Sequence, residues 1–290
     1  MDDFFKYLTP GEEDKNWSIY LNVAGKATIA PNTIYPSREH PTGYYFTWKK
    51  GRMLEEYQLV YITEGGGILK NDKGTFNIKA GTIMLIRPGE LHRYRPEMKT
   101  GWVENYIGFN GKLVNHFYEQ AAFLNTQPLF YCGIRESYLV SYYKIFKLAQ
   151  EEKPGFQQIA SGLILQLLGM MVAHQKQGDF SGKPIATIIQ KVLLEMRQKV
   201  ESNIGLQELA NRHHISYANF RKMFKKYTGV SPRQYHLELK LIRAKELLLT
   251  SEKSVKEISQ ELHFESIHYF SRYFKKRMGC SPTQMRNNTL

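Results

Sequence analysis

A thirteen-residue pattern, Phe-x-x-x-Phe-Lys-Lys-x-x-Gly-x-Ser-Pro, occurs twice near the C-terminus of the chain, at Phe220 to Pro232 and at Phe270 to Pro282. In a helix, two Phe at this spacing lie on one face, and the Lys pair that follows lies on the solvent side. The Gly is suited to a left-handed helix C-cap, and Ser-Pro begins another helix. Two copies of one small basic helical unit indicate a surface that is read twice, and duplex DNA is such a surface.

The residues before each copy predict a helix-turn-helix. Leu209 and Ala210 belong to a helical apolar pattern, and the small Ala210 leaves room for a close helix crossing. Ile215 and Ser216 then form a turn that ends on an N-cap hydroxyl. The second copy has Ser259 in the place of Ala210, 49 residues later, whereas the Phe pairs are 50 residues apart. The second turn is therefore predicted to be one residue longer.

A single helix is predicted between the two copies, from Pro232 to about Leu249. Its apolar stripe includes Leu237 and Leu241, and Lys240 lies on another face. The helix is about 26 Å long, at 1.5 Å per residue, and holds two recognition helices close to one turn of B-DNA apart, about 34 Å. The alternative is a helical bundle whose basic residues are only a solvated face.

These features resemble the DNA-binding domain of the AraC/XylS family of transcription regulators, over roughly the last 100 residues. The resemblance implies a seven-helix module with recognition helices near 216–227 and 266–278. Three residues depart from the family pattern. His263 replaces the usual Gly, Ser259 replaces the usual Ala, and Met285 stands where an aromatic residue is common. All three are local packing or turn positions.

The buried Phe pairs determine which side chains of the recognition helices face DNA. Arg and Lys suit guanine O6 and N7, His can donate there too, and Ile267 suits a thymine methyl group. A phosphate contact is the alternative for Arg272. The candidate DNA-contacting residues are Ser216, Tyr217, Ala218, Arg221, Lys222, Lys225, Ser266, Ile267, His268, Ser271, Arg272 and Lys275.

The positive charge of the chain is concentrated in its C-terminal part. From Lys183 onward there are 20 Lys and Arg against 9 Asp and Glu, which leaves a net charge of +2 out of +13 for the other 182 residues. This asymmetry favours a nucleic acid as the partner of one domain. A length of 290 residues is typical of two domains. We predict them at 1–178 and 183–290, joined by a polar linker over 175–182.

The N-terminal half is predicted to be a β-domain. Short aromatic or β-branched runs at 44–48, 57–63, 67–70, 76–78, 83–86 and 103–109 are separated by Gly-rich turns, which favours a barrel or sandwich. Residues 81–92 resemble the second cupin motif, and residues 44–111 look like the effector-binding cupin of sugar-responsive AraC-type regulators. The predicted fold class is α+β, with an N-terminal cupin or jelly-roll β-barrel, dimerisation helices, and a C-terminal all-α double helix-turn-helix.

The barrel is predicted to bind neither a metal nor a cofactor. A metal-binding cupin supplies His-x-His and Glu from its first motif, because transition metals need several converging imidazole and carboxylate ligands. The matching strand, 55–64, contains no His. We therefore expect no catalytic residues and no enzyme activity. A cupin enzyme fused to a DNA-binding module and a constitutive activator with a purely dimerising barrel remain the alternatives.

Aromatic and hydrogen-bonding residues of the barrel are the candidates for effector binding. Trp faces stack on sugar C–H surfaces, and Arg, His and carboxylates bond to hydroxyls, so a sugar is the favoured effector. Against this, Trp in a β-domain is often a core residue, and an exposed Arg is often only solvated. The candidate effector-binding residues are Arg38, Trp48, Arg52, His92, Tyr94, Trp102 and Glu104.

Residues 113–177 have helical periodicity and predict two amphipathic helices. In the family such helices form an antiparallel dimer contact, so the resemblance implies a homodimer. The alternative is that they pack back onto the barrel. The run 159–173 is about 15 residues and is predicted to be too short to span a membrane. The N-terminus lacks the apolar region of a signal peptide and the two Cys are far apart in sequence, which favours a cytoplasmic regulator whose partners include promoter DNA and RNA polymerase.

Overall fold

The computed structural model describes residues 2–36, 44–121, 124 and 126–287. The chain divides into two compact units, Met1–Gln175 and Lys176–Leu290. The described part of the first unit is an antiparallel β-structure with helices, and that of the second unit is helical. This arrangement confirms the predicted α+β class with two domains.

Eight antiparallel strands form the sheet of the first unit, within the residues described. Their order is β1-β2-β7-β3-β5-β8, and β4 and β6 both pair with β3. The strands are β1 (Phe4–Tyr7), β2 (Tyr20–Ile29), β3 (Tyr57–Asn71), β4 (Gly74–Lys79), β5 (Thr82–Ile86), β6 (His92–Pro96), β7 (Trp102–Asn110) and β8 (Leu129–Tyr131).

Strand β3 continues through Gly65, Gly66 and Gly67, where the sequence predicts a break. Its first half pairs with β5 and β7, and its second half pairs with β4 and β6. A Cβ atom at Gly66 would lie 2.7 Å from the carbonyl oxygen of Ile78, and one at Gly67 would collide with the carbonyl of Arg95. The glycines therefore allow close approach of the neighbouring strands instead of forming a turn.

The predicted strand at 44–48 is wrong. This segment is a loop whose only bridge, within the described residues, joins Thr47 to Gly51. Phe46 is buried in a cluster with Tyr94 and Trp102. The aromatic side chains of this segment serve to pack the loop onto the sheet, and this explains the apolar run in the sequence.

Two long helices pack against the sheet of the first unit. Tyr142 and Phe146 of one helix and Ile164 of the other share a hydrophobic core with Leu59 and Ile107 of the sheet. One face of each helix therefore does pack back onto the barrel. The helices of this unit are α1 (Glu12–Asn16), α2 (Lys112–Gln120), α3 (Glu136–Glu151) and α4 (Phe156–Gly178).

Helix α4 has 23 residues, so it is longer than the apolar run of about 15 residues that the sequence analysis considered. By length and composition alone it could cross a membrane. Seven of its residues are nevertheless buried within the protein, among them Ile164, Leu167 and Met171, which belong to the sheet core. The Gln157 side chain also bonds to both the backbone N–H and the carbonyl of Leu21, at 2.8 and 3.0 Å. These contacts show that one face of α4 packs against the sheet core of its own unit.

Seven helices form the described part of the second unit, as the resemblance implies. Each helix-turn-helix has its own core: Phe220 and Phe224 belong to one, and Phe270 and Phe274 belong to the other. The helices are α5 (Pro184–Gln198), α6 (Leu206–Arg212), α7 (Tyr217–Thr228), α8 (Pro232–Thr250), α9 (Val255–Glu261), α10 (Ile267–Met278) and α11 (Pro282–Asn287).

The short segment after α4 is packed into the second unit. Phe180 is only 8% exposed and shares a core with Ile189 and Phe220. Its ring meets the Tyr227 ring edge-on, with the centroids 5.0 Å apart. Asp179 also forms an ion pair with Lys226 at 3.2 Å. Part of the predicted polar linker therefore contributes an aromatic side chain to the core that supports helix α7.

Candidate nucleic-acid interface and effector cavity

Two helix-turn-helix motifs are present, α6–α7 and α9–α10. The Ser216 hydroxyl accepts a hydrogen bond from the backbone N–H of Asn219 at 3.4 Å, and that of Ser266 accepts one from the N–H of Tyr269 at 3.1 Å. Both second helices end on a left-handed glycine, with φ angles of 87° and 81°. Helices α7 and α10 thus have the same length and the same end structures, as the repeat predicts.

The second turn has one additional residue, as predicted. Glu265 is inserted before the N-cap, and it forms an exposed ion pair with Arg233 of α8 at 3.1 Å.

The Lys240 side chain of α8 contacts the same turn. It is buried, although the sequence pattern places this residue on a polar face of the helix. Its Nζ donates to the carbonyl oxygen of His263 at 3.2 Å and lies 5.6 Å from the centroid of the Phe264 ring. Burial lowers the pKa of Lys240. Helix α8 therefore positions the second turn directly.

Most of the predicted DNA-contacting side chains are exposed along α7 and α10. Tyr217, Ile267 and Ser271 are half-buried. The guanidinium of Arg221 lies 5.8 Å from the centroid of the Tyr217 ring, so the Tyr supports the Arg. In α10 the corresponding positions hold Ile267 and Ser271, which gives the two helices different surface chemistry. The exposed candidates are Ser216, Ala218, Arg221, Lys222, Lys225, Ser266, His268, Arg272 and Lys275.

A cavity lies inside the barrel of the first unit. It is narrow, with about 20 Å³ open to the centre of a water molecule, which is room for about one water. A larger opening of about 500 Å³ lies beside it and shares Tyr7 and Tyr44 with it. The residues that line the inner cavity are Tyr7, Tyr35, Pro36, Tyr44, Phe46, Arg52, Gln58, Tyr94, Glu104 and Tyr106.

Arg52 is the centre of a hydrogen-bond network in the cavity wall. Its Nε donates to Nε2 of His92 at 3.2 Å, one Nη donates to the Tyr94 hydroxyl at 2.6 Å, and the other donates to the carbonyl of Tyr44. Nδ1 of His92 lies 2.8 Å from the carbonyl oxygen of Glu90, so Nδ1 carries the proton and Nε2 accepts. Burial and the charge of Arg52 lower the pKa of His92 to about 4. His92 is therefore neutral.

Two carboxyl groups are buried at the cavity. Glu104 is 3% exposed and accepts a hydrogen bond from the Tyr35 hydroxyl at 3.1 Å, and burial raises its pKa to about 7. Glu56 is 5% exposed, lies at the larger opening, and accepts from Tyr44 at 3.2 Å and from Gln58 at 2.8 Å. Burial also raises the pKa of Glu56.

The structure therefore brings four of the predicted effector-binding residues together: Arg52, Tyr94 and Glu104 line the cavity, and His92 holds Arg52 in place. Trp102 is buried behind the cavity, where its ring centroid is 5.7 Å from that of Tyr35. The structure does not place the remaining two candidates in the lining. Trp48 is outside the cavity lining, with the guanidinium of Arg95 4.2 Å from its ring centroid, and Arg38 lies outside the described residues.

Sequence reasoning identified Tyr94 but missed the other four tyrosines that line the cavity. Tyr106 lies two residues after Glu104 on β7, and the alternation of side chains along a strand places both on the same face. That signal was present in the sequence. Tyr7, Tyr35 and Tyr44 come from distant parts of the chain, and no local pattern links them to Glu104.

The described residues contain no group of three or more His, Cys, Asp or Glu placed to hold a metal ion. Cys132 and Cys280 are free thiols. Burial raises the pKa of Cys132 to about 11, so this thiol is protonated at neutral pH.

Comparisons with known proteins agree with both halves of the chain. Residues 32–180 match the AraC-like ligand binding domain, and residues 209–288 match a helix-turn-helix domain. The MmsAB operon regulatory protein of Pseudomonas aeruginosa is 26% identical over 277 residues, which cover 90% of this chain and 87% of that protein. The lactose operon transcription activator of Staphylococcus xylosus is 22% identical, over 85% of this chain and 87% of the relative.

The arabinose operon regulatory protein of Escherichia coli is 23% identical over 259 residues, which cover 80% of this chain and 81% of that protein. The ligand-binding match includes every residue that lines the narrow cavity except Tyr7, and the second match includes both recognition helices. The chain belongs to the AraC family and is a DNA-binding transcription regulator with an N-terminal ligand-binding domain.

Proposed function

We propose that this regulator responds to a sugar bound in the cavity of its first unit. The observation that carries the proposal is the hydrogen-bonding interior formed by Arg52, Tyr94 and Glu104, which suits a small polyhydroxylated ligand. The names of two relatives, regulators of a lactose and an arabinose operon, support this class of effector. A purely dimerising barrel would have no need of buried carboxyl groups around a cavity.

The second unit binds double-stranded promoter DNA through α7 and α10. Arg221, Lys222 and His268 contact base edges, and Lys225 and Lys275 lie nearer the phosphates. The basic composition of this unit supports strong backbone attraction, and the two helices differ enough to read different bases. We place this activity in the cytoplasm, with RNA polymerase as a further partner.

The regulator is a homodimer that pairs through the outer face of α4. Ile159, Gly162, Gln166, Gly169 and Ala173 are spaced alternately by three and four residues, and all five are exposed in the single chain. Ile159 alone is 59% exposed. This spacing forms a continuous seam, and the two glycines let a second helix approach closely. An Ile159→Glu substitution should convert the dimer to a monomer in sedimentation equilibrium.

A thermal-shift screen of the intact protein against mono- and oligosaccharides tests the proposed effector. A ligand that binds only the native state stabilises it, by about 2.7 kcal/mol at 100 times its Kd. We expect one sugar to raise the Tm of the wild-type protein and to change its DNA binding. The Arg52→Ala variant should lose that response. If the response required an added metal ion, the fused-enzyme alternative would replace this proposal.

A further inference from the structure

The Glu104 carboxylate at the cavity can accept more hydrogen bonds than the one described hydroxyl donates to it. Among the described residues that line the cavity, Arg52 is the one cationic side chain, and three of its five N–H groups already donate to protein groups. Glu104 has two carboxylate oxygens with room for about four donors. Tyr35 supplies one hydroxyl to them. A ligand that forms hydrogen bonds with the remaining acceptor positions of Glu104 must therefore supply the donors.

The charges at the cavity lead to the same requirement. Glu104 and Glu56 are both buried, and neither forms an ion pair with a cation of the described residues. If both were ionised, the interior would hold two negative charges against the single positive charge of Arg52. Burying an unpaired charge is costly, and burial accordingly raises the pKa of both carboxyl groups, which favours their protonated forms. A cationic ligand group could replace such a proton.

An anionic ligand would meet the opposite situation. Its carboxylate or phosphate would lie beside Glu104, and three of the five Arg52 N–H groups are already directed at His92, Tyr44 and Tyr94. Like charges in a buried site repel strongly, because the surroundings screen them poorly.

We propose that the effector carries a protonated amine that donates to the Glu104 carboxylate, and that an amino sugar is its chemical class. This inference rests on the proposed function, since it specifies the sugar that the cavity accepts. Entry of a ring of this size requires Tyr7 and Tyr44 to move, because these two side chains line both the narrow cavity and the larger opening beside it.

The amine and the carboxylate give binding a defined pH dependence. The titratable and charged groups that face Glu104 are Arg52, Tyr35, Tyr94, Tyr106 and, more distantly, Asp3. Burial raises the pKa of all three tyrosines above 10.0, so Glu104, with its pKa of about 7, is the one of these groups that titrates near neutrality; the Glu104→Gln variant separates its titration from that of Glu56, whose pKa burial also raises. Affinity for an amino sugar should therefore rise from about pH 6 to about pH 7.5, whereas affinity for a neutral sugar should stay flat.

The experiment compares ligands that differ in one group. Calorimetric titration of the intact protein would use glucosamine, glucose, gluconate and glucose 6-phosphate, and then the corresponding galactose series. We expect the amine of at least one series to bind about tenfold more tightly than its neutral partner, as a charge-assisted hydrogen bond requires. Glu104→Gln should abolish that preference and its pH dependence, so that the amine and its neutral partner bind within about twofold of each other.

Two further variants keep the test decisive. Glu55→Gln changes an exposed carboxylate at the larger opening and should leave the preference unchanged. Tyr35→Phe keeps the Glu104 carboxylate and should keep the preference even if Glu104→Gln folds poorly. A neutral sugar that binds as tightly as its amine, or a sugar acid that binds best, would overturn the inference and leave the proposed function intact. If no ligand of either series bound, and no other sugar stabilised the protein, both would be wrong.

Discussion

His214 and His263 occupy corresponding positions in the two turns, and both have a left-handed backbone, with φ angles of 55° and 50°. The residue after each donates its N–H to the helix before the turn: Ile215 to the carbonyl of Ala210 at 3.2 Å, and Phe264 to that of Ser259 at 3.0 Å. The departure from Gly at His263 therefore leaves the turn geometry intact. A residue with a Cβ atom in this conformation costs roughly 1–2 kcal/mol.

Replacing either histidine by glycine should stabilise the second unit. Glycine removes the Cβ clash but adds freedom to the unfolded chain, so we expect His263→Gly and His214→Gly each to raise the free energy of unfolding by about 0.5–1 kcal/mol. Urea denaturation measures this change. His213→Gly is the matched control, because His213 has a φ of −100° and gains nothing from glycine. Destabilisation by all three substitutions would contradict the explanation.

Substitutions on the two recognition helices should alter different parts of the operator. Arg221→Ala should cost roughly 1–3 kcal/mol and relax the preference at one or two base pairs, and His268→Ala should do so about one helical turn away. Lys225→Ala should weaken all sequences about equally, since a phosphate contact carries no base information. Binding-site selection with each variant distinguishes these outcomes. The same altered motif for Arg221→Ala and His268→Ala would show that two separate groove segments are not read.

The affinity of residues 176–290 for duplex DNA should fall steeply with salt. Each Lys or Arg that neutralises a phosphate contributes about −0.9 to the slope of log K against log salt concentration. The Lys225→Ala variant should reduce the magnitude of this slope by about 1. Fluorescence anisotropy over a range of salt concentrations provides the measurement. A flat isotherm, or no binding at low salt, would be incompatible with the interface described here.

Glu104 should make the first unit less stable as the pH rises. Its pKa of about 7 in the folded state is above its ordinary value of 4.5, so the folded state holds the proton more tightly. The stability linked to this proton is fully present below about pH 4.5 and is lost by about pH 7, a change of about 3 kcal/mol. Urea denaturation of wild type and Glu104→Gln at several pH values isolates the effect, because the opposing contribution of neutral His92 is common to both. Parallel pH profiles would mean that Glu104 is ionised throughout.

Removal of divalent metals should leave regulation unchanged. The strand that would supply the first cupin motif has no His, so His92 lacks partners for a metal site. Elemental analysis of untagged protein should find well below one equivalent of transition metal, and chelators should not affect effector-dependent DNA binding. A stoichiometric metal would favour the enzyme alternative.

The DNA-binding half could be predicted from sequence in detail because its signals are local. Phe220 and Phe224 are one helical turn apart, and Ser216 caps the helix that contains them, so a short window predicts the element, its ends and its exposed face. The same pattern at Phe270 and Phe274 predicts the second recognition helix in the same way.

The effector cavity could be predicted only in part, because it is assembled across the sheet. Arg52 and Glu104 were identified by their chemistry, but their distance and orientation depend on the register of β3, β6 and β7. Trp48 shows the limit of such reasoning. Its chemistry suits a sugar, yet the loop that carries it lies against Arg95 on β6 instead of entering the cavity.

The position of Phe180 has a practical consequence for hybrid regulators. A hybrid regulator would join the sensor of one family member to the DNA-binding unit of another. A junction at Lys183 would leave Phe180 behind with the sensor and remove its ring from beside Tyr227. The loss of a buried Phe side chain typically costs about 3–5 kcal/mol. The transferable DNA-binding unit of this chain therefore begins at Lys176, inside the last turn of α4. The junction of a functional hybrid must lie within this helix and not within the loop that follows it.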